Sequence, residues 1–422
     1  EGALTEVHSM LQRMNELATQ AANGTNSQDD RSAIQDEVDQ LTTEIDRVAE
    51  TTKFNEIYLL KGDSEGATKT SYLNAHDAGL DGTKISQNDT TATVTLKELN
   101  VGDKQSIAGK EYTIGDSVTN IKALVKDKNT IKIGDQTFKI SGTDVTDENG
   151  NKLYIKTADG ANAANTTFAA NNLTSTSKFK NDAGADTANT AVTIANIQSL
   201  ITDDSRVTVN GKEMYAMAAA DATAGVSSVD SSVITVTQAY KKEAAEIVKA
   251  SNIGATTSSV ATTDGTTAYA GASNSFVLKL GTTTVNDSLA FNLHVGADAD
   301  MTNKINVNID SMDSASLGIK GLNVTDKTGI AATYAIDAIS DAVAKVSAQR
   351  SSLGAVQNRL EHTIDNLDNI SENTSSAESR IRDTDMAKEM VNYSKNNILA
   401  QAGQSMLAQA NQSNQGVLSL LQ

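Results

Sequence analysis

The chain has 422 residues, with 35 Lys and Arg against 53 Asp and Glu, a formal net charge of −18, and no cysteine, proline or tryptophan. That balance excludes the basic footprint of a nucleic-acid or anionic-membrane binder, and the missing cysteine removes disulfides, thiolate nucleophiles and cysteine metal sites together. Aromatics are only 4%, so the cores have to be aliphatic, and no apolar run approaches the roughly 20 residues of a bilayer-spanning helix.

Residues 1–22 carry a seven-residue repeat in two series, Leu4, Leu11, Ala18 and Val7, Met14, Ala21, which predicts an amphipathic helix with an a/d seam. Glu1 stands inside that pattern with no initiator methionine or signal peptide, so the natural N-terminus is expected to be missing. "NGTNS" (23–27) ends the helix, with Gly24 expected in the left-handed C-terminal position. Ser27 followed by Asp30 predicts a variant capping box for a second helix. Its seam runs Ile34, Val38, Leu41, Ile45, Val48, and the apolar patch Phe54, Ile57, Tyr58, Leu59, Leu60 closes the region.

From 61 to 288 short β-rich pieces alternate with Thr/Asn/Asp/Gly turns. "SIAGKEYTI" (106–114), "KIGDQTFKI" (132–140) and "VTVNGKEMY" (207–215) each read as a hairpin around a glycine-containing turn. "DENGNK" (147–152) is a further turn, 237–251 a helix, and 164–177 a polar loop. At 291–324 clean alternation returns, with Leu293 and Val295 facing Ile305, Val307 and Ile309 in a hairpin buried on one side. Leu353, Leu360 and Leu367, supported by Val346, Val356, Ile364 and Ile370, make a helical seam over 331–380. The last forty or so residues read as another amphipathic helix, apolar at Met386, Met390, Ile398, Leu399, Met406, Leu407, Val417, Leu418, Leu420 and Leu421.

Burying stripes from opposite ends of the chain against each other brings those ends together and makes the middle an excursion. The expected fold class is α+β: a long, coiled-coil-like helical bundle with a β-hairpin, inserted β-rich outer domains, and an extended C-terminal helix. The expected divisions are 1–60, 61–288, 289–380 and 381–422. Nothing obvious in the chain covers the apolar positions of 381–422, which leaves an internal coiled-coil partner as the bland reading and packing with another molecule or with an absent N-terminal segment as the sharper one.

Catalytic chemistry is not expected. His8, His76, His294 and His362 have no metal-ligand spacing, and His362 beside Glu361 reads as a solvated helical histidine. The carboxylate pairs at 29–30 and 203–204 fall in no calcium loop. The glycine-containing stretches lack a phosphate-loop pattern, and no serine sits in a nucleophile elbow. No cofactor and no metal are expected.

"EGALTEVHSMLQRMNELATQAANGTNS", "IDRVAETTKFNEIYLL", "GAVQNRLEHTIDNLDNISENTSSAESRIRDTDMAKEMV" and "NILAQAGQSMLAQANQ" closely resemble bacterial flagellin, over residues 1–60 and about 289–422. The middle matches only in style, as the family's variable outer domains would. The resemblance implies the major subunit of the flagellar filament, exported unfolded through the flagellar channel and placed outside the cell. It implies that 381–422 is the C-terminal half of an inner domain whose N-terminal helix is lacking. The 422-residue chain alone is then expected to build no normal filament. The implied partners are other flagellin subunits, an export chaperone bound to the C-terminal segment, and Toll-like receptor 5. Two alternatives stand beside it, a hook–filament junction protein of the same axial group and a flagellin with a glycan-binding outer domain.

Met10, Arg13, Leu17 and Gln20 line a second stripe on the first helix, and Glu37, Gln40, Glu44 and Arg47 do so on the second. Spacing alone favours a packing role, with Leu17 widening the core and Arg13 paired to a carboxylate. The resemblance instead makes this stripe the surface that meets neighbouring subunits and the receptor, with Arg13, Leu17 and Glu37 at the family's receptor-contact positions. Met14 and Asn15 depart from the family's more usual Val and Arg. On that reading Leu17→Ala is expected to weaken receptor binding with little loss of helicity.

Overall fold

A computed structural model describes residues 1–63, 68–155, 173–174, 178–180, 186–188, 190–296 and 303–420. It divides into two units, one of residues 1–289 with 309–349 and one of residues 290–308 with 350–422.

In the first unit α1 (Gly2–Ala22) and α2 (Gln28–Thr51) form a helical hairpin. Both heptad series of α1 are buried, and so are Ile34, Val38, Ile45 and Val48 of α2, while Leu41 is half-buried. The capping box forms as the spacing predicts. Ser27 Oγ accepts from the Asp30 amide at 3.1 Å, and the Ser27 amide donates to Asp30 Oδ2 at 3.0 Å. The Ser27 hydroxyl, which donates to Asp30 Oδ2 at 2.7 Å, and then the Ser27 amide hold the Asp30 carboxyl below its usual range. Ser27→Ala should destabilise α2 by about 1 kcal/mol, read as faster amide exchange confined to its first turn.

The end of α1 differs from expectation. Gly24 is not left-handed. Asn23 is extended at φ −67° and ψ 124°, its amide donates to Gln20 O, and Asn26 Nδ2 donates to the same carbonyl. One backbone amide and one side-chain amide thus satisfy the Gln20 carbonyl, and no positive φ is needed. The patch after α2 also differs. Two short strands, Lys53–Phe54 and Ile57–Tyr58, turn through Asn55 and Glu56 at positive φ. Phe54 is 73% exposed and only Leu60 is buried, because so short a ribbon has no second layer above it.

Strand Thr68–Tyr72 pairs antiparallel with Thr282–Asn286, so the excursion leaves and returns through one ladder. Beyond it lie two aliphatic cores. The first is built from residues 80–114 and 234–280. Strands 260–262, 275–279, 91–95 and 84–87 form one antiparallel sheet, the hairpin 104–107/110–114 adds the parallel strand 233–234, and helix Val236–Ala250 packs into the core with Tyr240, Ala244 and Ile247. The second core lies wholly between residues 121 and 216, so it is an insertion within an insertion. Its six strands run in the order 144–146, 136–141, 130–133, 206–209, 212–217, 116–117, all antiparallel except the last pair. All three predicted hairpins form, with two-residue loops at Ala108–Gly109, Gly134–Asp135 and Asn210–Gly211. Asn210 and Gly211 are both left-handed, as that loop requires. The turn at 147–152 and the helix at 236–250 form too. Most of the loop read at 164–177 lies outside the described residues.

The chain then runs along α2 in a segment with little regular structure, and its backbone groups are met by α2 side chains. Asp46 takes the Ser314 amide at 2.7 Å, Gln35 bridges the Val324 amide and the Leu322 carbonyl, and Gln28 donates to Thr325 O. Asp326 accepts the Ile330 and Ala331 amides and so opens the last helix.

That helix, Ile330–Ser419, is single where two had been expected. Glycine is absent between Gly354 and Gly403 and proline throughout, so nothing in "SRIRDTDMAKE" breaks it. Within the first unit it buries Ala332, Ala335, Ala338, Ile339, Ala342 and Val346. The seam expected to stay buried through Ile370 stops at Gln349, a helical length close to that of α1. In the second unit Leu353, Leu360 and Leu367 are half-exposed and Ile364 and Ile370 exposed. The same unit holds most of the one-sided hairpin, strands Leu289–His294 and Lys304–Ile309, with Ile305, Val307 and Ile309 buried and Asn292 bonded to Asn306 on the other face. The expected turn at 297–302 lies outside the described residues.

Candidate interaction surfaces

On the α1–α2 face the structure brings Arg13 and Glu37 together. Arg13 Nε donates to Glu37 Oε1 at 2.9 Å, and Nη1 donates to Glu16 Oε2 at 3.1 Å. The Glu37 bond foremost, then Glu16, raises the Arg13 guanidinium further above its ordinary pKa, so it is a permanent cation. Both members of the interhelical pair are about half exposed, at 51% and 44% of their side chains. Solvent screens such a pair, so a partner can exchange it for contacts of its own. Gln20 is exposed two turns further along.

Leu17 does not share this face. It is 2% exposed and continues the buried set Met14, Ala18 and Ala21, at spacings of three, one and four residues on the same helical side. This corrects the expectation of a four-residue exposed stripe. A g-position leucine at a two-helix hairpin gains more by joining the core than by standing in water. Leu17→Ala therefore does not spare the fold, as its position in the stripe had implied.

The second surface is the distal part of the long helix. Met390, Ile398, Leu399, Met406, Leu407, Leu418 and Leu420 are between 58% and 88% exposed. Leu421 lies outside the described residues. From residue 350 to 420 no described side chain is buried, so this apolar length is bare in the single chain. A run of exposed Met, Ile and Leu on that scale marks an interaction surface.

Arg31 carries structure that heptad spacing does not single out. It is 3% exposed, and its guanidinium spans three carbonyls: Ala21 O at 2.9 Å, Asn23 O at 3.1 Å and Lys327 O at 3.1 Å. The signal was present in the pattern, because Arg31 extends the buried stripe of Ile34 and Val38 by one turn. Among the described residues no group of three His, Asp or Glu side chains is placed to hold a metal ion, and no helix is long and apolar enough to cross a membrane.

A family model for the bacterial flagellin N-terminal helical region matches residues 1–65, and one for the C-terminal helical region matches residues 336–421. A flagellin of Clostridium tyrobutyricum is 34% identical over 418 residues, covering 98% of this chain and 80% of that protein. A flagellin of Salmonella choleraesuis is 35% identical, covering 100% of this chain and 84% of that protein. FliC from Burkholderia pseudomallei, a solved structure, aligns with 85% of this chain and 96% of its own at 16% identity, with a TM-score of 0.24 that is too low to argue the fold. The full-length identities carry the conclusion: the chain belongs to the bacterial flagellin family, a structural subunit of the flagellar filament and not an enzyme.

Proposed function

We propose that this flagellin meets its partners through two surfaces, and the observation that carries the reading is the bare apolar length of its last helix. Its partners in the filament are other flagellin subunits. The stretch 381–422, with Met390, Ile398, Leu399, Met406, Leu407, Leu418, Leu420 and Leu421, is the part that packs in the filament interior. Before assembly the same stretch is held by an export chaperone, and the chain is secreted through the flagellar channel. The division that goes with this has core helices at 1–60, outer domains at 61–288, a core hairpin and helix at 289–380, and the assembly helix at 381–422. The strand ladder at 68–72 and 282–286 supports the placing of the outer domains, since it closes the excursion at its neck.

The second surface is the exposed face of α1 and α2, with Arg13, Gln20 and Glu37. It faces a neighbouring subunit in the filament and Toll-like receptor 5 when the chain is free. An arginine on a rigid helical hairpin suits a hot spot in either role. Leu17 supports that face from below. Arg13→Ala should lower receptor affinity about tenfold with unfolding unchanged, whereas Leu17→Ala should lower stability by about 2–3 kcal/mol. Titrating the receptor ectodomain against both variants, with denaturation run in parallel, separates the two roles. Loss of binding in Leu17→Ala at wild-type stability would reverse these assignments. For the first surface, Met406→Lys with Leu407→Lys should abolish polymerisation onto filament seeds. Normal growth by that variant would sink the assembly reading.

A further inference from the structure

Three Asn–Gly steps occur in the chain, at 23–24, 149–150 and 210–211, and each sits in a turn. An Asn side chain can be attacked by the next residue's backbone nitrogen, and glycine hinders that attack least. The surroundings of the three steps differ.

At Asn210 the leaving group is tied. Oδ1 accepts from the Thr130 amide at 2.8 Å, and Nδ2, the group that would leave, donates to Asn129 Oδ1 at 3.2 Å. At Asn149 the attacking nitrogen is tied, because the Gly150 amide donates to Asp147 O at 3.1 Å. At Asn23 neither restraint applies. Asn23 and Gly24 are exposed, and a Cβ at Gly24 would meet nothing within 4 Å; the Asn23 carbonyl accepts from Arg31 Nη2 at 3.1 Å and from the Asn26 amide at 3.2 Å, so the 23–24 peptide turns from ψ 124° toward the side chain as those two bonds open. Asn23 Oδ1 accepts two donors from one residue, the Thr25 amide at 3.2 Å and Thr25 Oγ1 at 3.1 Å. These donors point at the oxygen that becomes negative when Cγ is attacked, the arrangement by which enzymes stabilise tetrahedral oxyanions.

Asn323 supplies an internal comparison. Its Oδ1 has the same two donors, the Thr325 amide and hydroxyl, both at 2.8 Å. Its neighbour, however, is Val324, β-branched, with its amide donated to Gln35 Oε1 at 2.7 Å. The oxyanion cradle is present there and the nucleophile is not free.

We propose that Asn23 is a self-modification site, converting through a succinimide to aspartate and isoaspartate with water as the only co-reactant. The Gly24 nitrogen loses its proton to solvent and bonds to Asn23 Cγ, the Cγ–Nδ2 bond breaks, and Nδ2 leaves as ammonia after taking a proton from water. Water then opens the ring at Cγ, giving aspartate, or at the backbone carbonyl carbon, giving isoaspartate. Either product places a new negative charge in the turn between α1 and α2. Isoaspartate also lengthens the backbone by one methylene and turns the carbonyl that accepts from Arg31 Nη2 into the free carboxylate.

The test incubates the purified chain in mildly alkaline buffer and follows each Asn–Gly peptide by mass spectrometry and by methylation with an isoaspartyl methyltransferase. Asn23 should gain one dalton and methyl-accepting capacity well ahead of Asn149 and Asn210, and Asn323 should stay unmodified. Gly24→Ala should suppress the reaction, since Gly24 occupies neither a left-handed nor a crowded position, and Thr25→Val should slow it about tenfold by removing one oxyanion donor. Circular dichroism of both variants checks that the hairpin is retained. Equal rates at the three Asn–Gly steps, or an unchanged rate in Gly24→Ala, would overturn the proposal.

Discussion

Replacing Arg31 by alanine is expected to lower the stability of the α1–α2 hairpin by about 3–4 kcal/mol, more than any single cap or exposed ion pair in the chain would yield. The guanidinium is almost fully buried, and it closes three backbone carbonyls that no helix or strand satisfies: the end of α1, the turn after it, and the segment that leads into the last helix. Truncation removes three charge-assisted bonds and leaves the Ala21 and Lys327 carbonyls to find water, while Asn23 O keeps the Asn26 amide at 3.2 Å. The close approach of Gly329 to Ala22 O in the same place leaves little room for it. Arg31→Lys should recover only part of the loss, because a single ammonium lacks the planar fork that reaches three directions. Amide exchange is the suitable measurement, since a chain with several cores need not unfold in one step. In the alanine variant exchange should accelerate together in residues 20–26 and 325–333, while the strands of the outer cores stay protected. Acceleration limited to one of the two stretches would show that Arg31 does not couple them.

The sequence was most informative where a period runs long or a turn has one solution. The heptads of α1, the 4, 3, 4, 3 spacing from Ile34 to Val48, and the Asn–Gly hairpin at 210–211 all appear in the structure, as does the box of Ser27 and Asp30. It was least informative where the outcome depends on what else is nearby. Periodicity places Leu17 beside the seam but cannot tell a widened core from a surface stripe, and burial settles that for Leu17 alone, leaving Arg13 and Glu37 outside. The same ambiguity ran the other way for Phe54 and Ile57, apolar yet exposed, and for Leu353 to Ile370, periodic yet bare. Gly24 reads as a left-handed cap until the Asn26 side chain and the Arg31 guanidinium take over that work. Local pattern specifies a face; the long-range partner decides whether the face is covered.

Glu243 lies on helix 236–250 at 1% exposure, inside the first outer core, and its neutralisation should dominate the acid–base behaviour of that core. Burial pushes its carboxyl up to about 7 from 4.5, against the smaller downward pull of a bond from Gln105 and the charge of Lys97. Its Oε2 is buried with no hydrogen-bond partner, so the ionised form has an unmet acceptor as well as a desolvated charge. Tyr269 nearby, itself pushed up to about 12 by burial with Tyr240 and Glu243 adding, stays neutral and adds no second negative charge. Because the folded state holds this proton more tightly than the unfolded chain, the contribution to stability is fully present below pH 4.5 and is lost as pH rises through 7. A displacement of that size corresponds to about 3 kcal/mol. Glu243→Gln, which copies the protonated carboxyl in shape, should therefore match the wild type near pH 4 and exceed it by about 2–3 kcal/mol at pH 8. Carboxylates held low by hydrogen bonds, such as Asp103 and Asp326, act in the opposite sense as pH falls, and they are common to both proteins. The difference between variant and wild type across a urea–pH grid isolates Glu243, and a difference that does not change with pH would show that its carboxyl titrates alike in the folded and unfolded chain.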